Sequence, residues 1–327
     1  MTRTVLIALG GNALCAADQH GTYTEQYDNA LVMADSIAGV IDSGWRVVIV
    51  HGNGPQIGAL AVQQQTASDH VPAQPLHSLG AMTQGQIGSM LTLALHQRLG
   101  RGRDIVSLVT HVVVDEHDEC FQSPTKPIGP FYDKHTAGSL ATSLGWTMIE
   151  DSGRGYRRVV ASPEPGDVVE AESIRILVDA GAIVVACGGG GVPVVTHDGH
   201  WAGIDAVIDK DLMAARLACS LQVDALALVT GVPTVQVDFG TPDEHPLYDL
   251  TVAEAQQHLT DGQFPAGSMG PKVTAAIRFV RASGGVAAIT TPERLVATLN
   301  GSHDPQATGT RVSEIPCGAA MPKGSRR

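Results

Sequence analysis

The chain has 327 residues, of which 43% are apolar and 17% charged, a composition of globular proteins that excludes a disordered or membrane-embedded chain. It carries 33 acidic and 21 basic residues, a formal net charge of −12, and no run of Lys or Arg that could follow a nucleic-acid backbone. A nucleic-acid partner is therefore disfavoured.

The sequence also argues against secretion and membrane insertion. The first apolar run, VLIAL, is broken by glycine after five residues, and no stretch approaches the roughly 18 apolar residues of a membrane span. The five cysteines form no CxxC pair and have no histidine at zinc-finger spacing. We predict reduced, structural cysteines, no metal held by them, no membrane partner and a cytoplasmic location.

Three short apolar runs that end abruptly in glycines organise the chain. Runs without polar alternation are typical of strands buried on both faces of a parallel sheet. Glycines after such strands let backbone N–H groups approach an anion at the edge where ligands bind. One such loop alone would be an ordinary tight turn, but recurrence favours an anion site. The runs and loops are Thr4–Leu9 with Gly10-Gly11-Asn12, Val47–Val50 with His51-Gly52-Asn53-Gly54-Pro55, and Ala182–Cys187 with Gly188–Gly191.

Apolar residues at helical spacing predict helices between and after these strands. A helix from about Glu25 to Ser43 completes a βαβ unit, whose right-handed crossover places the first two glycine loops on one edge of a parallel sheet. Other patterns predict helices from Pro55 to about Gln65, over Met82–Leu99, Glu170–Ala180 and Thr251–Leu259, and strands over Asp104–Val114, Ala225–Thr230 and Val286–Thr290.

The stretch from about residue 115 to 162 is rich in turn-forming and charged residues, and we predict a protruding insertion or lid there. Prolines at 124, 127 and 130 exclude a helix and predict a stiff, extended segment. Lys126 lies between them. A lone lysine in such a loop is usually a solvated charge; the functional alternative is a cation placed over an anionic substrate.

Two further lysines lie near the starts of predicted helices that end at about Ser220 and about Arg281, and at a helix start backbone N–H groups and the helix dipole favour anions. Lys210 lies between Asp209 and Asp211, whose carboxylates can orient it, and Lys272 follows Pro271, a residue suited to a first helical turn. Glycine loops with lysines, and no nucleophile-and-base signature, indicate phosphoryl transfer, which depends on positioning and charge neutralisation. The Walker pattern GxxxxGK[ST] is absent.

Eight motifs, in chain order, resemble those of carbamate kinases in the amino-acid kinase superfamily. They are ALGGNAL (Ala8–Leu14), HGNGPQIG (His51–Gly58), GAMTQGQIG (Gly80–Gly88), PTKPIGPFY (Pro124–Tyr132), ACGGGGVPV (Ala186–Val194), GIDAVIDKDL (Gly203–Leu212), AGSMGPKV (Ala266–Val273) and TGTRV (Thr308–Val312). PTKPIGPFY and GSMGPKV are specific to that branch, whereas the glycine loops alone would indicate only the superfamily.

The resemblance implies one α/β domain over residues 1–312, a three-layer α/β/α sandwich around a mainly parallel sheet. About residues 1–195 would form the carbamoyl phosphate half, which carries the insertion, and about 196–312 the nucleotide half. Residues 313–327 are predicted to be a disordered tail. The implied protein is a homodimer of arginine catabolism that transfers a phosphoryl group between carbamoyl phosphate and ADP with Mg²⁺, giving ATP and carbamate.

The resemblance also implies a role for each site residue. Lys126 would reach in from the insertion, Lys210 and Lys272 would neutralise the transferring phosphoryl group, and Asp211 would orient those lysines. The residues implied at carbamoyl phosphate are Gly10, Gly11, Asn12, Gly52, Asn53 and Gly54. Those implied at the nucleotide are Thr230, Met269, Gly270, Lys210 and Lys272. No protein side chain is implied as a metal ligand.

The chain departs from the family pattern in three places. Thr230-Gly231 stands where a Thr-Asp pair is usual, the segment 76–79 lacks the usual Asp and Cys, and Thr110-His111 stands where Thr-Gln is common. Two alternatives therefore stay open: a kinase of another small acid, and a nucleotide-binding regulatory protein without turnover. The retained lysines argue against the second, because binding alone needs no cation at the transferring phosphoryl group.

Overall fold

A computed structural model describes residues 2–315, except 17, 18, 152, 154 and 266. The predicted tail lies largely outside these residues, although its first residue, Ser313, closes the last strand. The helices are α1 (Gly11–Leu14), α2 (Tyr23–Asp42), α3 (Gly54–Thr66), α4 (Leu76–Leu99), α5 (Lys134–Leu144), α6 (Ala171–Asp179), α7 (Lys210–Ser220), α8 (Val252–Thr260), α9 (Met269–Ser283) and α10 (Leu295–Leu299). The strands are β1 (Thr4–Leu9), β2 (Arg46–His51), β3 (Ile105–Ser107), β4 (His111–Val113), β5 (Lys126–Tyr132), β6 (Thr147–Glu150), β7 (Tyr156–Val160), β8 (Ile183–Val185), β9 (Val192–His197), β10 (His200–Gly203), β11 (Ala225–Val229), β12 (Val235–Val237), β13 (His245–Leu247), β14 (Asp249–Thr251), β15 (Val286–Thr290) and β16 (Thr310–Ser313).

An eight-stranded sheet forms the middle layer, in the order β14-β16-β15-β11-β1-β2-β8-β3. The strands from β15 to β3 in this order are all parallel, and β16 pairs with β15 in the antiparallel sense. The predicted mainly parallel sheet and its first βαβ unit are therefore confirmed.

Both faces of the sheet are buried, as the runs without polar alternation predict. Along β1, Leu6 and Ala8 face one apolar core, and Val5 and Ile7 face the other. Helices α6, α7, α8 and α9 contribute to the first core, and α2, α4 and α10 to the second. The result is the predicted three-layer α/β/α arrangement.

Two predicted elements differ from those observed. The β-prone stretch Asp104–Val114 is two strands, because the chain leaves the main sheet after β3 and enters a small sheet of β10, β9 and β4. Between them, the buried Thr110 hydroxyl donates to Gln84 Oε1 at 2.9 Å. Helix α4 begins at Leu76, six residues before the predicted start at Met82, because Leu76 and Leu79 bury their side chains in a third apolar cluster.

The stretch predicted as an insertion contains its own three-stranded sheet, in the order β5-β7-β6, together with α5. The proline-flanked segment is extended, as predicted, and forms β5 at the edge of this sheet, where the missing N–H of a proline is tolerated. Ile128 and Val160 join the third cluster with Ile57 and Leu76, so this sheet is anchored to α3 and α4. No helix among the described residues is long and apolar enough to cross a membrane.

Candidate active site

The first two predicted glycine loops meet at the carboxyl edge of the neighbouring parallel strands β1 and β2. A Cβ built on Gly52 would lie 2.8 Å from the backbone nitrogen of Gly11 and 3.4 Å from the side chain of Lys210. Only a residue without a side chain allows this approach. The two loops therefore form one surface beside Lys210.

The third loop supports the second one. Gly188 lies against the His51 ring and Gly189 against the Asn53 amide, where a Cβ would come within 2.2 and 2.1 Å of the ring and amide atoms. The four glycines are buried, and Gly189, Gly190 and Gly191 have φ values of 65°, 92° and 87°. Close packing and positive φ thus explain these glycines, and none of them lines the cavity described below.

A cluster of three lysines and two aspartates forms at the start of α7. Asp209 is the N-cap of this helix, and its Oδ1 accepts from the Asp211 and Leu212 N–H groups at 2.9 and 3.3 Å. Its other oxygen accepts from Lys126 Nζ at 2.5 Å. Capping therefore fixes a carboxylate that holds the lysine of β5.

Asp211, in the first turn of α7, binds the two remaining lysines. Its Oδ1 accepts from Lys210 Nζ at 2.8 Å, and its Oδ2 accepts from Lys272 Nζ at 2.9 Å. Lys272 lies in the first turn of α9, after Pro271 as predicted, and α9 packs against α7. One buried carboxylate thus fixes the separation of two ammonium groups.

The charges of this cluster are strongly coupled. Burial alone would raise the pKa of Asp211, but Lys210 and Lys272 outweigh it and hold that pKa well below its usual range. Burial lowers the pKa of Lys210, against the attraction of Asp211. Burial likewise acts to raise the pKa of Asp209, and Lys126 brings it below the usual value. Three ammonium groups face two carboxylates, a formal excess of one positive charge in a chain of net charge −12.

The cluster lines a cavity of about 400 Å³, a size suited to a small organic ligand. Its lining combines the charged groups with glycine backbone and an apolar part. The predicted site residues in the lining are Gly10, Gly11, Lys126, Lys210, Asp211, Thr230, Met269 and Lys272. Residues that the sequence analysis missed include Val232, Gln236, Phe239, Gln263 and Phe264. Cations beside apolar and aromatic side chains suit a ligand with both phosphate groups and a flat ring.

The missed residues carry only a weak sequence signal, because most of them follow β11 in irregular chain or short strands. Gln236 is the exception that alternation could have revealed. In β12, Val235 and Val237 are buried in the core, so the residue between them faces the opposite side, which is the cavity. The sequence predicts that Asp209 and Asp211 both orient Lys210, but only Asp211 binds it, because Asp209 caps α7 and pairs with Lys126.

Some predicted site residues do not line the cavity. Asn53 is buried and donates through Nδ2 to Thr83 Oγ1 at 2.9 Å, so its side chain holds the loop. Gly270 is buried in the first turn of α9, where its N–H donates to Pro265 O. Gly52 and Gly54 do not line the cavity, although they belong to the same loop as Asn53. The side chain of Asn12 lies outside the described part of the chain.

Of the three departures from the family pattern, only Thr230-Gly231 borders the cavity. His77 pairs with Asp205, with 3.0 Å between Nδ1 and Oδ1, and His111 pairs with Glu170 at 2.8 Å. Both histidines therefore join neighbouring elements of the fold and lie outside the cavity lining.

His51 is a buried scaffold residue and makes stability depend on pH. Burial lowers the pKa of His51 to about 4, and its Nδ1–H donates to Gly52 O at 2.9 Å. Below its ordinary pKa of 6.5, the unfolded chain binds a proton that the folded chain refuses. The free energy of unfolding should therefore fall as the pH is lowered from 6.5 to 4, by up to about 3 kcal/mol from this residue.

Urea unfolding at pH 7.5 and pH 5 measures this effect. The variant His51→Gln should lose clearly less stability between the two pH values than the wild-type chain. The exposed His303 provides a matched control, because His303→Gln should lose as much as the wild type. Equal losses in His51→Gln and the wild type would show that His51 is not the proton-linked group.

Comparison with known proteins defines the class. Residues 3–291 match the model of the Amino acid kinase family, so the chain belongs to that family. It is 47% identical over 317 residues to a carbamate kinase of Pyrococcus furiosus, covering 95% of this chain and 99% of the relative. Carbamate kinase structures from Giardia lamblia, one bound to citric acid and one to AMP-PNP, are 39% and 40% identical, with TM-scores of 0.89 and 0.87, and each match covers 95% of this chain and 98% of the other. Within the family, the chain is placed among the carbamate kinases.

Proposed function

We propose that this protein catalyses the reversible transfer of a phosphoryl group between carbamoyl phosphate and ADP, which yields ATP and carbamate. The observation that carries the proposal is the bridge from Asp211 to Lys210 and Lys272 at the cavity wall. Two ammonium groups held by one carboxylate form a preorganised site for the oxygens of a transferring phosphoryl group. The relatives are carbamate kinases, which does not favour the two alternatives left open by the sequence.

The reaction needs little covalent chemistry from the protein. The β-phosphate oxygen of ADP attacks phosphorus, the bond from phosphorus to the carbamate oxygen breaks, and carbamate leaves to decompose into ammonia and CO₂. Both the nucleophile and the leaving group are anions, so no general base is required. The protein must hold two anionic substrates in line and neutralise the charge shared between them.

Each group of the site has a part in this scheme. Lys210 and Lys272 bind the phosphoryl oxygens, Asp211 fixes their separation, and Lys126 adds a third cation on the side of carbamoyl phosphate. The backbone N–H groups of Gly11 and Asn12, with those of Asn53 and Gly54, cradle carbamoyl phosphate. Gly10 and Gly52 shape the same two loops, because their own N–H groups donate to Val229 O and Leu9 O. Thr230 and Met269 lie along the nucleotide, with the buried Gly270 behind them in the first turn of α9, and the exposed Phe239 and Val232 offer apolar contact to its base.

We include Mg²⁺ as the metal that accompanies the nucleotide. Every carboxylate oxygen of Asp209 and Asp211 already accepts from a lysine or a backbone N–H, which suits a cation carried mainly by phosphate oxygens and water. Asp209, whose side chain is 16% exposed against 5% for Asp211, is the carboxylate that would share in holding the ion. When bound, the ion neutralises phosphate charge. Removal of divalent cations with EDTA should abolish ATP formation, and added Mg²⁺ should restore it.

Purified protein with ADP, Mg²⁺ and carbamoyl phosphate should form ATP, and the Lys272→Ala protein is the blank. ATP is measured by luminescence, with acetyl phosphate as a competing phosphoryl donor. Formation from carbamoyl phosphate that depends on Lys272 supports the proposal. Folded, ADP-binding protein that forms no ATP from carbamoyl phosphate would contradict it, and ATP from acetyl phosphate instead would indicate another acid as substrate.

We also propose a cytoplasmic homodimer that serves arginine catabolism. The four described cysteines, Cys15, Cys120, Cys187 and Cys219, are free thiols, as expected in a reducing compartment. On α4, Met82 and Leu93 are 45% and 51% exposed and lie eleven residues apart, on the same face of the helix. Exposed apolar residues in register suit a contact between copies, and light scattering would measure the mass.

A further inference from the structure

A contact between two glycines joins α3 to β5. A Cβ built on Gly58, which is buried in α3, would lie 2.1 Å from Gly129 Cα and 2.3 Å from Gly129 N. No other residue type fits at position 58 unless β5 moves away from α3. Glycine within a helix costs about 1 kcal/mol relative to alanine, so the glycine that allows this close approach lowers the stability of α3.

Gly129 lies at the irregular part of β5. Its φ is +74°, and the register with β7 shifts between Ile128 and Tyr132. The Gly129 carbonyl accepts from Arg157 Nε of β7 at 3.1 Å. On the side of β5 that faces α3, Ile128 is 2% exposed and is buried in the third apolar cluster with Ile57 of α3. The backbone of β5 is thus fixed at this point from two sides.

Lys126 lies three residues before Gly129 on the same strand, about 10 Å along an extended chain. Its backbone pairs opposite Val160, and its ammonium reaches Asp209 Oδ2 at 2.5 Å at the cavity wall. A strand is stiff over this distance because its hydrogen bonds to β7 hold it. A displacement of Gly129 therefore moves Lys126.

We propose that Gly58 is a positioning residue for Lys126: its contact with Gly129 sets how deeply β5 carries the lysine into the cavity. The proposal rests on the proposed function, since it concerns a lysine assigned to phosphoryl transfer. Helix α3, which contains Gly58, also begins at the Gly52-Asn53-Gly54 loop, so the same helix supports that loop and contacts β5. The loop that receives carbamoyl phosphate and the strand that bears Lys126 share one rigid contact.

The variant Gly58→Ala tests the proposal. It should lower kcat/KM for carbamoyl phosphate by about 10- to 100-fold, because sub-ångström to ångström misplacement of a charged group has effects of this size. The dissociation constant of ADP should stay within about twofold. Gly138 of α5 provides the matched control, since it is an exposed helical glycine and a Cβ there would meet nothing within 4 Å. Gly138→Ala should leave activity unchanged.

A double-mutant cycle separates positioning from general damage. In a Lys126→Ala background, Gly58→Ala should lower kcat/KM by less than about twofold, because the group that it displaces is already gone. Gly129→Ala, which forces a side chain into positive φ without entering α3, should give the same pattern at smaller size. If Gly58→Ala costs as much without Lys126 as with it, the proposal is wrong.

Chemical labelling tests the same contact independently of activity. Limited acetylation with acetic anhydride, read by mass spectrometry, gives the reactivity of Lys126 relative to Lys134, an exposed lysine on α5. Gly58→Ala should raise this ratio severalfold, because Lys126 leaves Asp209. If the wild-type protein forms no ATP but Gly58→Ala still raises this ratio, the proposed function is refuted and the positioning role is retained. An unchanged ratio would refute the positioning role whether or not the enzyme is active.

Discussion

The Lys272→Ala protein should turn over about 10³-fold more slowly than the wild type while binding ADP with a dissociation constant within about tenfold of it. Lys272 is held by Asp211 at the start of α9, where the helix dipole adds to its charge. We expect a cation at this position to stabilise the transition state, in which charge is shared between the entering and leaving oxygens, more than it stabilises the bound substrates. The loss should therefore appear in kcat more than in binding of the ground state.

Steady-state kinetics with carbamoyl phosphate and ADP, and calorimetric titration with ADP alone, measure the two quantities. Lys134→Ala removes a lysine from the exposed surface of α5 and should change neither. If the kcat/KM and the ADP affinity of Lys272→Ala fall by the same factor, Lys272 is a ground-state contact, and its assigned role in the transition state is wrong.

Replacement of Asp211 by Asn should destabilise the fold as well as stop catalysis. Asp211 is only 4% exposed and its two oxygens bind two ammonium groups. Without its charge, Lys210 and Lys272 repel each other in a buried place, and breaking one partner of a buried ion pair costs roughly 3–5 kcal/mol. The melting temperature should fall by roughly 5–10 °C.

The same substitution makes a second, more specific prediction. An anion such as inorganic phosphate can take the place of the lost carboxylate charge between the two lysines. Phosphate should therefore raise the melting temperature of Asp211→Asn by more than that of the wild type. Asp243→Asn, at an exposed position, should lose little stability and show no added phosphate effect. Equal phosphate shifts in all three proteins would contradict the assigned arrangement of charges.

The sequence was most informative where burial dictates pattern. The buried runs that became β1, β2 and β11 show no polar alternation, so their place inside a parallel sheet could be predicted from the local pattern of apolar residues. Lys210 and Lys272 were predictable for a related reason, since lysine is unusual at a helix start and needs a carboxylate partner. The predicted helix start at Thr251 is equally local, since Thr251 caps α8 and forms a capping box with Glu254.

What could not be predicted depends on contacts distant in sequence. The division of 104–114 into β3 and β4 follows from Thr110 bonding to Gln84 and to Cys187 N, and no local pattern encodes those partners. The four glycines after β8 suggested an anion loop, yet close packing requires them: Gly188 and Gly189 lie against His51 and Asn53 of the neighbouring loop, and Gly190 and Gly191 lie against Ile208 and Val112. The ion pair of Lys126 with Asp209 joins residues that are 83 positions apart, and no local sequence pattern indicates it.

The sheet order has a consequence for how the enzyme is made. Strand β16, the last described element, inserts between β15 and β14, and β14 joins the sheet through it. Thr310 at its start accepts from Val235 N and donates to Leu247 O, so it also fastens the small β12–β13 ribbon that carries Gln236 of the cavity wall. A nascent chain therefore lacks a fixed cavity wall at Gln236 until β16 has been synthesised. This part of the wall is complete only when a strand much later in the chain has joined the sheet.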